Sequence, residues 1–227
     1  MQVDLVQAAT LQDLADYQKL SERVLSDSEV LRLLRHPRFF RSPKDTDQIN
    51  RQHARFIDKI LSFDVKGVEG HLVMQGRAVL PTGSFEYWGP ALHEGAQTWV
   101  GLDPQTLNTP YSVLWRLCNI LNLKTETVVD LGAALGRLGP VMHQCAPHAK
   151  FLGLEYVPER VDEANRVYRK WGMNNARCEV QDLFARDFEL PEAEVFFIYD
   201  YGQHDHINAT LGQIQLMAQK RPLKLVA

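Results

Sequence analysis

The stretch Thr125-Glu-Thr-Val-Val-Asp130-Leu-Gly132-Ala-Ala-Leu-Gly136-Arg-Leu-Gly-Pro140 decides the fold of this 227-residue chain. Its two valines, Val128-Val129, are typical of a strand that is buried on both faces of a parallel sheet. The strand ends in the acid Asp130, and Gly132 and Gly136 then let the backbone turn sharply and approach a ligand closely. The pattern predicts a strand, a glycine turn and a helix, the order found in α/β nucleotide sites.

A second acid follows at the end of the next predicted strand, Phe151-Leu-Gly-Leu-Glu155. A carboxylate there can accept both hydroxyls of a ribose. A dinucleotide site would have the pattern G-x-G-x-x-G, with its pyrophosphate at the helix N-terminus. Here Ala134 replaces the middle glycine, which crowds a pyrophosphate but leaves room for an amino-acid tail. The residues favour S-adenosylmethionine as cofactor, with an NAD-binding oxidoreductase as the alternative.

Four segments in order resemble the motifs of class I S-adenosylmethionine-dependent methyltransferases. They are Asp130-Leu-Gly132-Ala-Ala-Leu-Gly136, Gly-Leu-Glu155-Tyr156, Cys178-Glu-Val-Gln-Asp182-Leu-Phe184 and Val195-Phe-Phe-Ile-Tyr199-Asp-Tyr-Gly202. The resemblance implies a doubly wound, mostly parallel α/β sheet of the Rossmann-like methyltransferase type. Ala134 departs from the glycine expected in the first motif.

A shorter resemblance lies just upstream, in Leu107-Asn-Thr109-Pro110-Tyr111-Ser-Val-Leu-Trp115. Its Thr-Pro-Tyr element is similar to one in methyltransferases related to histone-lysine enzymes of the disruptor-of-telomeric-silencing type, in which the segment covers the methionine end of the cofactor. The alternative is an ordinary helix start, with Thr109 as N-cap and Pro110 in the first turn.

The resemblance implies roles for particular residues. The methionine end of the cofactor would lie near Asp130 and Tyr111, its amino-acid tail along the turn from Gly132 to Gly136, its ribose on Glu155, and its adenine at Asp182 and Leu183.

The methyl acceptor is expected at the end of the fourth motif, at Tyr199, Asp200 and Tyr201. Two aromatic rings there can enclose a lysine ammonium or an amine, and Asp200 can orient it or take its proton. Packing of the strand end by both tyrosines is the alternative. The motif lacks the Asn-Pro-Pro-Tyr or Asp-Pro-Pro-Tyr pattern expected for DNA adenine methylation. We therefore expect a protein side chain, with a small molecule or RNA, or a non-catalytic methyltransferase-like module, as alternatives.

The chain divides by composition into a helical region with a small β element (1–100) and the methyltransferase domain (101–227). In the first, we expect helices over Leu11–Leu25, from the capping box Ser26–Glu29 to Leu34, and over Asp45–Phe63, then a hairpin of 71–80 with 84–88. In the second, strands are expected near 127–130, 151–155, 177–181, 194–200 and 222–227, and helices at about 136–146, 158–172 and 206–219.

The fifth expected strand is apolar and is the last element of the sequence. Because complete class I methyltransferases continue for two more strands, we expect the C-terminal strands to be missing and the domain to be truncated. An uncovered edge strand tends to pair with another chain. The alternative to truncation is that the N-terminal hairpin or a partner chain covers this edge, and a partner chain there would form an oligomer.

Six basic residues surround Phe39 and Phe40, namely Arg35, Arg38, Arg41, Lys44, Arg51 and Arg55. They predict either a basic, aromatic surface for a phosphate backbone or an acidic protein, or a solvated helix face beside two core phenylalanines. We favour the second, because Asp45, Asp47 and Asp58 dilute the charge.

The composition of the chain argues against several other classes of protein. A net charge of −3 argues against a dedicated nucleic-acid-binding protein without excluding a local basic patch. Cys118, Cys145 and Cys178 form no C-x-x-C pair and are expected to be reduced, which, with no visible signal peptide or membrane span, predicts a cytoplasmic protein with no membrane partner. We expect no metal site, since Asp205 in His204-Asp-His206 is better explained as a helix cap.

Overall fold

The computed structural model describes residues 11–74, 78–79, 98–99, 103–199, 201–202 and 204–227. The chain forms two compact units, Met1–Val113 and Leu114–Ala227. The sequence places the change of domain near residue 101; in the structure a short 3₁₀ helix (Pro104–Leu107) still belongs to the first unit.

The first unit is mainly helical. Its elements are α1 (Leu14–Ser21), α2 (Asp27–Arg35), α3 (Asp47–Leu61), α4 (Val65–Met74), β1 (Ala78–Val79), β2 (Thr98–Trp99) and the start of α5 (Tyr111–Leu121). Ser26 and Glu29 form the expected capping box at α2, because each side chain bonds the other's backbone N–H. The three expected helices are confirmed as α1, α2 and α3. Helices α1 and α3 are shorter than expected, whereas α2 ends one residue later than expected.

The expected hairpin is wrong in its first strand. Residues His71–Met74 form the last turn of α4, since their apolar residues continue the pattern of a helix that begins at Val65. Ala78–Val79 pairs with Thr98–Trp99 in parallel, whereas a hairpin requires antiparallel strands. The second expected strand, 84–88, lies outside the described residues.

The second unit is built on a parallel five-stranded sheet. Its strands are β3 (Thr127–Leu131), β4 (Lys150–Glu155), β5 (Ala176–Val180), β6 (Val195–Ile198) and β7 (Lys224–Val226). Their spatial order is β5-β4-β3-β6-β7, so the chain moves outward from β3 in one direction and then returns to β3's other side. This is the doubly wound order expected from the sequence, and ligands bind at its reversal point, beyond the carboxyl ends of the strands.

Three helices connect these strands: α6 (Leu138–Cys145), α7 (Pro158–Lys170) and α8 (His204–Ala218). Pro158 opens α7, and Gly172, with φ of 67°, lies just beyond its end, as expected. Helix α8 begins earlier than expected, so Asp205 lies inside its first turn and is not the cap. An acid in that turn still interacts favourably with the helix dipole.

Buried aliphatic and aromatic side chains fill the sheet faces. One cluster comprises Val129, Leu131, Leu152, Leu154, Ala193, Phe196, Ile198 and Ile214. The expected edge strand β7 pairs with β6 alone within the described residues, and Leu225 on it is exposed. Among the described helices, none has the length and apolar character needed to cross a bilayer.

Candidate functional site

The turn after β3 has a left-handed backbone at three alternate positions. The φ angles are 81° at Gly132, 47° at Ala134 and 66° at Gly136. The N–H groups of Gly132 and Ala133 both donate to the carbonyl of Leu154, at 2.9 and 3.0 Å. These bonds tie the turn to the end of β4, so the carboxyl ends of the two strands form one rigid unit.

Ala134 occupies the position where the first motif would carry its middle glycine. A left-handed conformation is costly for a residue with a Cβ atom. The backbone N–H of Ala134 donates to Oε2 of Glu155 at 2.8 Å. This bond to a carboxylate helps to hold the strained turn in place.

Glu155 is buried and makes contacts on both of its carboxylate oxygens. Besides the bond to Ala134, Oε1 accepts the N–H of Val157 at 3.0 Å and forms an ion pair of 3.5 Å with Arg160. Arg160 is also buried. Each oxygen has two lone pairs, so among the described residues one remains open on Oε2. The residue expected to bind ribose is thus also a structural brace between the glycine turn and α7.

Asp130 is the second acid of the site and is half-buried. Burial, and then the nearby Glu155 charge, raise the pKa of its carboxyl to about 7. Within the part of the chain described, no hydrogen bond to this carboxylate is present. Asp130 is therefore a half-buried acid whose pKa lies near neutral pH and which has no countercharge among the described residues, a combination frequent at functional sites.

The underside of the turn is closed by side chains from α7 and β5. The hydroxyl of Tyr168 donates to the carbonyl of Gly136, and a Cβ at Gly136 would collide with that hydroxyl. The thiol of Cys178 lies nearby and is buried. The requirement for glycine at position 136 is therefore steric as well as conformational.

Asp182 and Leu183 follow β5, as expected from the third motif. Asp182 is exposed, and its Oδ1 accepts the N–H of Phe184 at 2.8 Å. Leu183 is half-buried and packs against the core of the second unit. Both residues lie past the end of a strand adjacent to β4.

The two tyrosines expected at the acceptor site differ sharply. Tyr199, directly after β6, is 74% exposed. Tyr201 instead stacks on Phe184 at 5.9 Å between ring centroids, bonds Thr210 through its hydroxyl, and contacts Gly132. Packing therefore explains Tyr201, whereas Tyr199 is available to a ligand. Asp200 lies outside the described residues.

Tyr111 belongs to the first unit and is fully buried there. Its ring stacks on Phe40 at 5.4 Å, and its hydroxyl donates to Asp58 at 2.9 Å. These contacts give Tyr111 a structural role in the first unit. Its expected place near the cofactor stays a prediction.

Sequence reasoning missed four residues around the turn. Arg160 and Tyr168, both on α7, contact Glu155 and Gly136 respectively. Val180 pairs with Glu155 in the sheet, and Tyr156 follows Glu155 along the chain. Tyr156 and Val180 expose 36% and 52% of their surface. The position of Arg160, five residues after Glu155 and in the first turn of the helix that Pro158 opens, was the available signal. Tyr156 was visible as the residue following the second acid.

No protein-family model matches the sequence, and no curated protein matches it. Solved structures resemble parts of the chain. An RNA methyltransferase from Salinibacter ruber, in complex with S-adenosyl-L-homocysteine, is 25% identical, with a TM-score of 0.40, over 48% of this chain and 69% of that one. A TehB-like SAM-dependent methyltransferase from Corynebacterium glutamicum is 19% identical, with a TM-score of 0.37, over 44% and 53%.

A third similar structure is the C-terminal domain of precorrin-6Y C5,15-methyltransferase from Rhodobacter capsulatus. It is 17% identical, with a TM-score of 0.39, over 46% of this chain and 56% of that one. The chain thus spans from about half to about two thirds of these three structures. Because each TM-score lies below 0.5, we infer function from the site residues and not from these likenesses.

Proposed function

We propose that the protein is a class I S-adenosylmethionine-dependent methyltransferase. The observation that carries the proposal is the pair of acids, Asp130 and Glu155. They lie at the carboxyl ends of the neighbouring parallel strands β3 and β4, beside the left-handed turn of Gly132–Gly136. This arrangement lies at the reversal point of a doubly wound sheet, where ligands of such sheets bind.

The charge of the site supports a cationic ligand. Asp130 has no countercharge among the described residues, and a positive group beside it would favour its ionised form. S-adenosylmethionine carries an ammonium and a sulfonium. A dinucleotide would bring a pyrophosphate, whose negative charge Asp130 would repel. The same turn also offers that pyrophosphate one N–H fewer, because Ala134 donates to Glu155.

The nucleoside end has matching partners along β4 and β5. The open lone pair on Oε2 of Glu155 suits one ribose hydroxyl. Tyr156 and Val180 expose apolar surface on either side of that acid, as a flat base requires. Asp182 lies farther along the same edge, with Oδ1 occupied by Phe184, and Oδ2 is suited to accept an adenine amino group.

Methyl transfer requires positioning and exclusion of water more than a strong base. The cofactor, when bound, supplies a methyl group on a positively charged sulfur. The braced turn would hold the amino-acid tail through its backbone, while Asp130 would compensate positive charge in the ground state. The acceptor must present an unprotonated lone pair in line with the methyl group.

We propose a protein side chain, such as lysine, as the acceptor. The support is Tyr199, an exposed aromatic ring at the carboxyl end of β6, next to β3 in the sheet. An aromatic face attracts an ammonium or a methylated amine. Asp200, the next residue along the chain, is the candidate to orient the amine and take its proton.

The test is transfer of tritiated methyl groups from S-adenosylmethionine to extract fractions that are separately treated with protease or ribonuclease. We expect protease-sensitive label that yields methyl-lysine on hydrolysis. Tyr199→Ala should reduce the rate about ten-fold or more, while Tyr199→Phe, which keeps the ring, should retain most of it. Label that is sensitive only to ribonuclease would contradict a protein acceptor, and cofactor binding without any transfer would favour a non-catalytic module.

A further inference from the structure

Ten residues of the first unit form a cationic surface that the proposed methyl transfer does not use. The segment Arg35-His-Pro-Arg38-Phe-Phe-Arg41-Ser-Pro-Lys44 carries four basic side chains, spaced three residues apart, and no acid. We call it the basic segment. Its charge contrasts with the net charge of −3 of the whole chain.

Buried aromatic side chains anchor the backbone of the basic segment. Phe39 and Phe40 are fully buried, and the hydroxyl of Tyr17 contacts the carbonyls of Arg38 and Arg41, at 2.6 and 3.2 Å. The segment thus has a defined shape although it is neither helix nor strand after Arg35. The core role expected for the two phenylalanines is confirmed. Arg38 and Arg41, which flank them, are exposed.

All four cationic side chains of the basic segment are exposed. Within the part of the chain that the structure describes, none of them forms an ion pair. The acids that follow in sequence are engaged with α3, because Asp45 accepts from Asn50 at 3.1 Å and Asp47 pairs with Arg51 at 2.9 Å. Among the described residues, neither acid pairs with a cation of the basic segment.

The local positive potential also affects His36. Its Nδ1 accepts the N–H of Arg38 at 3.2 Å. Burial, and then the charge of Arg38, lower the pKa of His36 below its usual value. The lowered pKa favours the neutral imidazole, whose Nδ1 accepts the N–H of Arg38 in the turn. The arginines and the lysine are therefore the binding charges.

The composition of the surface distinguishes between anionic partners. Protein interfaces have an apolar, aromatic-rich centre, but both aromatic residues of the basic segment are buried. A surface of regularly spaced cations without exposed rings matches a phosphate backbone, whose binding is driven by release of counterions. Three of the four cations are arginines, which bond phosphate oxygens bidentately.

We propose that the basic segment is a docking site for nucleic acid, whose phosphate backbone it binds without reading the bases. This docking role goes beyond the proposed methyl transfer and does not rest on that proposal. A protein acceptor that is itself bound to RNA would satisfy both proposals.

The test is fluorescence anisotropy of a labelled 20-nucleotide single-stranded RNA with the full chain, at salt concentrations from 50 to 200 mM. We expect the logarithm of the association constant to fall linearly with that of the salt concentration, with a slope of about −3 for four phosphate contacts. The variant Arg35→Gln/Arg38→Gln/Arg41→Gln/Lys44→Gln should bind at least about ten-fold more weakly at 50 mM salt.

The matched control removes four other exposed charges, Lys19→Gln/Lys59→Gln/Lys66→Gln/Lys124→Gln, and should stay within about two-fold of the parent. Circular dichroism of both variants checks that they fold, which we expect because the Tyr17 anchor bonds backbone carbonyls. Failure of the parent to bind RNA at 50 mM salt would overturn the proposal. Equal loss in the two variants would also overturn it, as would equally tight binding of polyglutamate, which would assign the surface to acidic proteins.

Discussion

The carboxylate of Glu155 accepts the backbone N–H of Ala134 at 2.8 Å, and so braces the glycine turn against the neighbouring strand. The same carboxylate faces the buried Arg160 at 3.5 Å. Removing Glu155 therefore does more than delete one ligand contact, since it releases a strained residue and removes the ion pair of the buried Arg160 with Glu155.

We predict that Glu155→Ala destabilises the second unit by about 3–5 kcal/mol, because half of a buried ion pair is lost. Adding Arg160→Met should recover part of that loss, because the buried charge that has lost its ion pair with Glu155 is then removed as well. Urea unfolding followed by fluorescence of the buried Trp171 measures both. Equal stability of Glu155→Ala and the double variant would show that Arg160 does not depend on Glu155.

Ala134→Gly should be neutral or stabilise the second unit by up to about 1 kcal/mol, because glycine adopts the φ of 47° without a Cβ penalty. Affinity for S-adenosylhomocysteine should not fall. The matched control is Ala133→Gly, one residue earlier and without a left-handed backbone, which should destabilise by about 1 kcal/mol. Destabilisation of similar size by both changes would refute strain at Ala134.

Asp130 predicts a pH dependence of cofactor binding. Its pKa of about 7 means that the ammonium of the ligand's amino-acid tail must compete with a proton for this carboxyl at lower pH. Calorimetric affinity for S-adenosylhomocysteine should be about ten-fold weaker at pH 6 than at pH 8, since about a tenth of the sites is then ionised. Asp130→Asn should bind weakly at both values, whereas Asp162→Asn, on an exposed face of α7, should behave like the parent.

Asp130 also predicts that the stability of the second unit and its affinity for the cofactor change in opposite directions with pH. Because folding raises the pKa of Asp130, the folded state keeps a proton that the unfolded chain has lost between pH 4 and 7. The stability of the second unit should therefore fall as the pH rises through that range. Asp130→Asn should abolish this contribution and raise the melting temperature at pH 8 by a few degrees. An unchanged or lower melting temperature would contradict the assigned pKa.

His53 predicts the opposite dependence in the first unit. Burial lowers the pKa of its imidazole to about 4, which the backbone of Phe39 offsets only in part. Between pH 6.5 and 4 the unfolded chain binds a proton that the folded unit does not. The first unit should therefore lose about 2 kcal/mol of stability between pH 7 and 5.

Hydrogen exchange of α3 peptides measures that loss at the relevant helix. His53→Leu should remove most of the difference between pH 7 and pH 5, while His71→Gln, at an exposed position, should leave it intact. If the exchange of α3 in the parent were independent of pH after correction for the intrinsic rate, a buried neutral His53 would be ruled out.

The sequence predicted the parts of the fold that local patterns encode. Val128 and Val129 identified the central strand, the capping box at Ser26 located α2, and Pro158 and Gly172 bounded α7. The region 71–80 was misjudged because Val65–Met74 combines apolar residues with two glycines, which weakens helical periodicity. Tertiary packing decides such segments.

The site was predictable as far as its acids and glycines, but not in its internal contacts. That Glu155 bonds Ala134 and Arg160 depends on how β4 and α7 approach the turn. Likewise, Tyr199 is exposed whereas Tyr201 is packed, because Tyr201 lies against Gly132 in the folded chain. Spacing places residues on an element, whereas only the folded chain determines which of them remain accessible.

The most direct test of the central claim is calorimetric titration of the intact protein with S-adenosylhomocysteine and, separately, with NAD at pH 8. We predict micromolar binding of S-adenosylhomocysteine, loss of that binding in Asp130→Asn with the fold retained, and no heat with NAD. Binding of NAD alone, or of neither ligand to folded protein, would contradict a methyltransferase site at Gly132–Gly136.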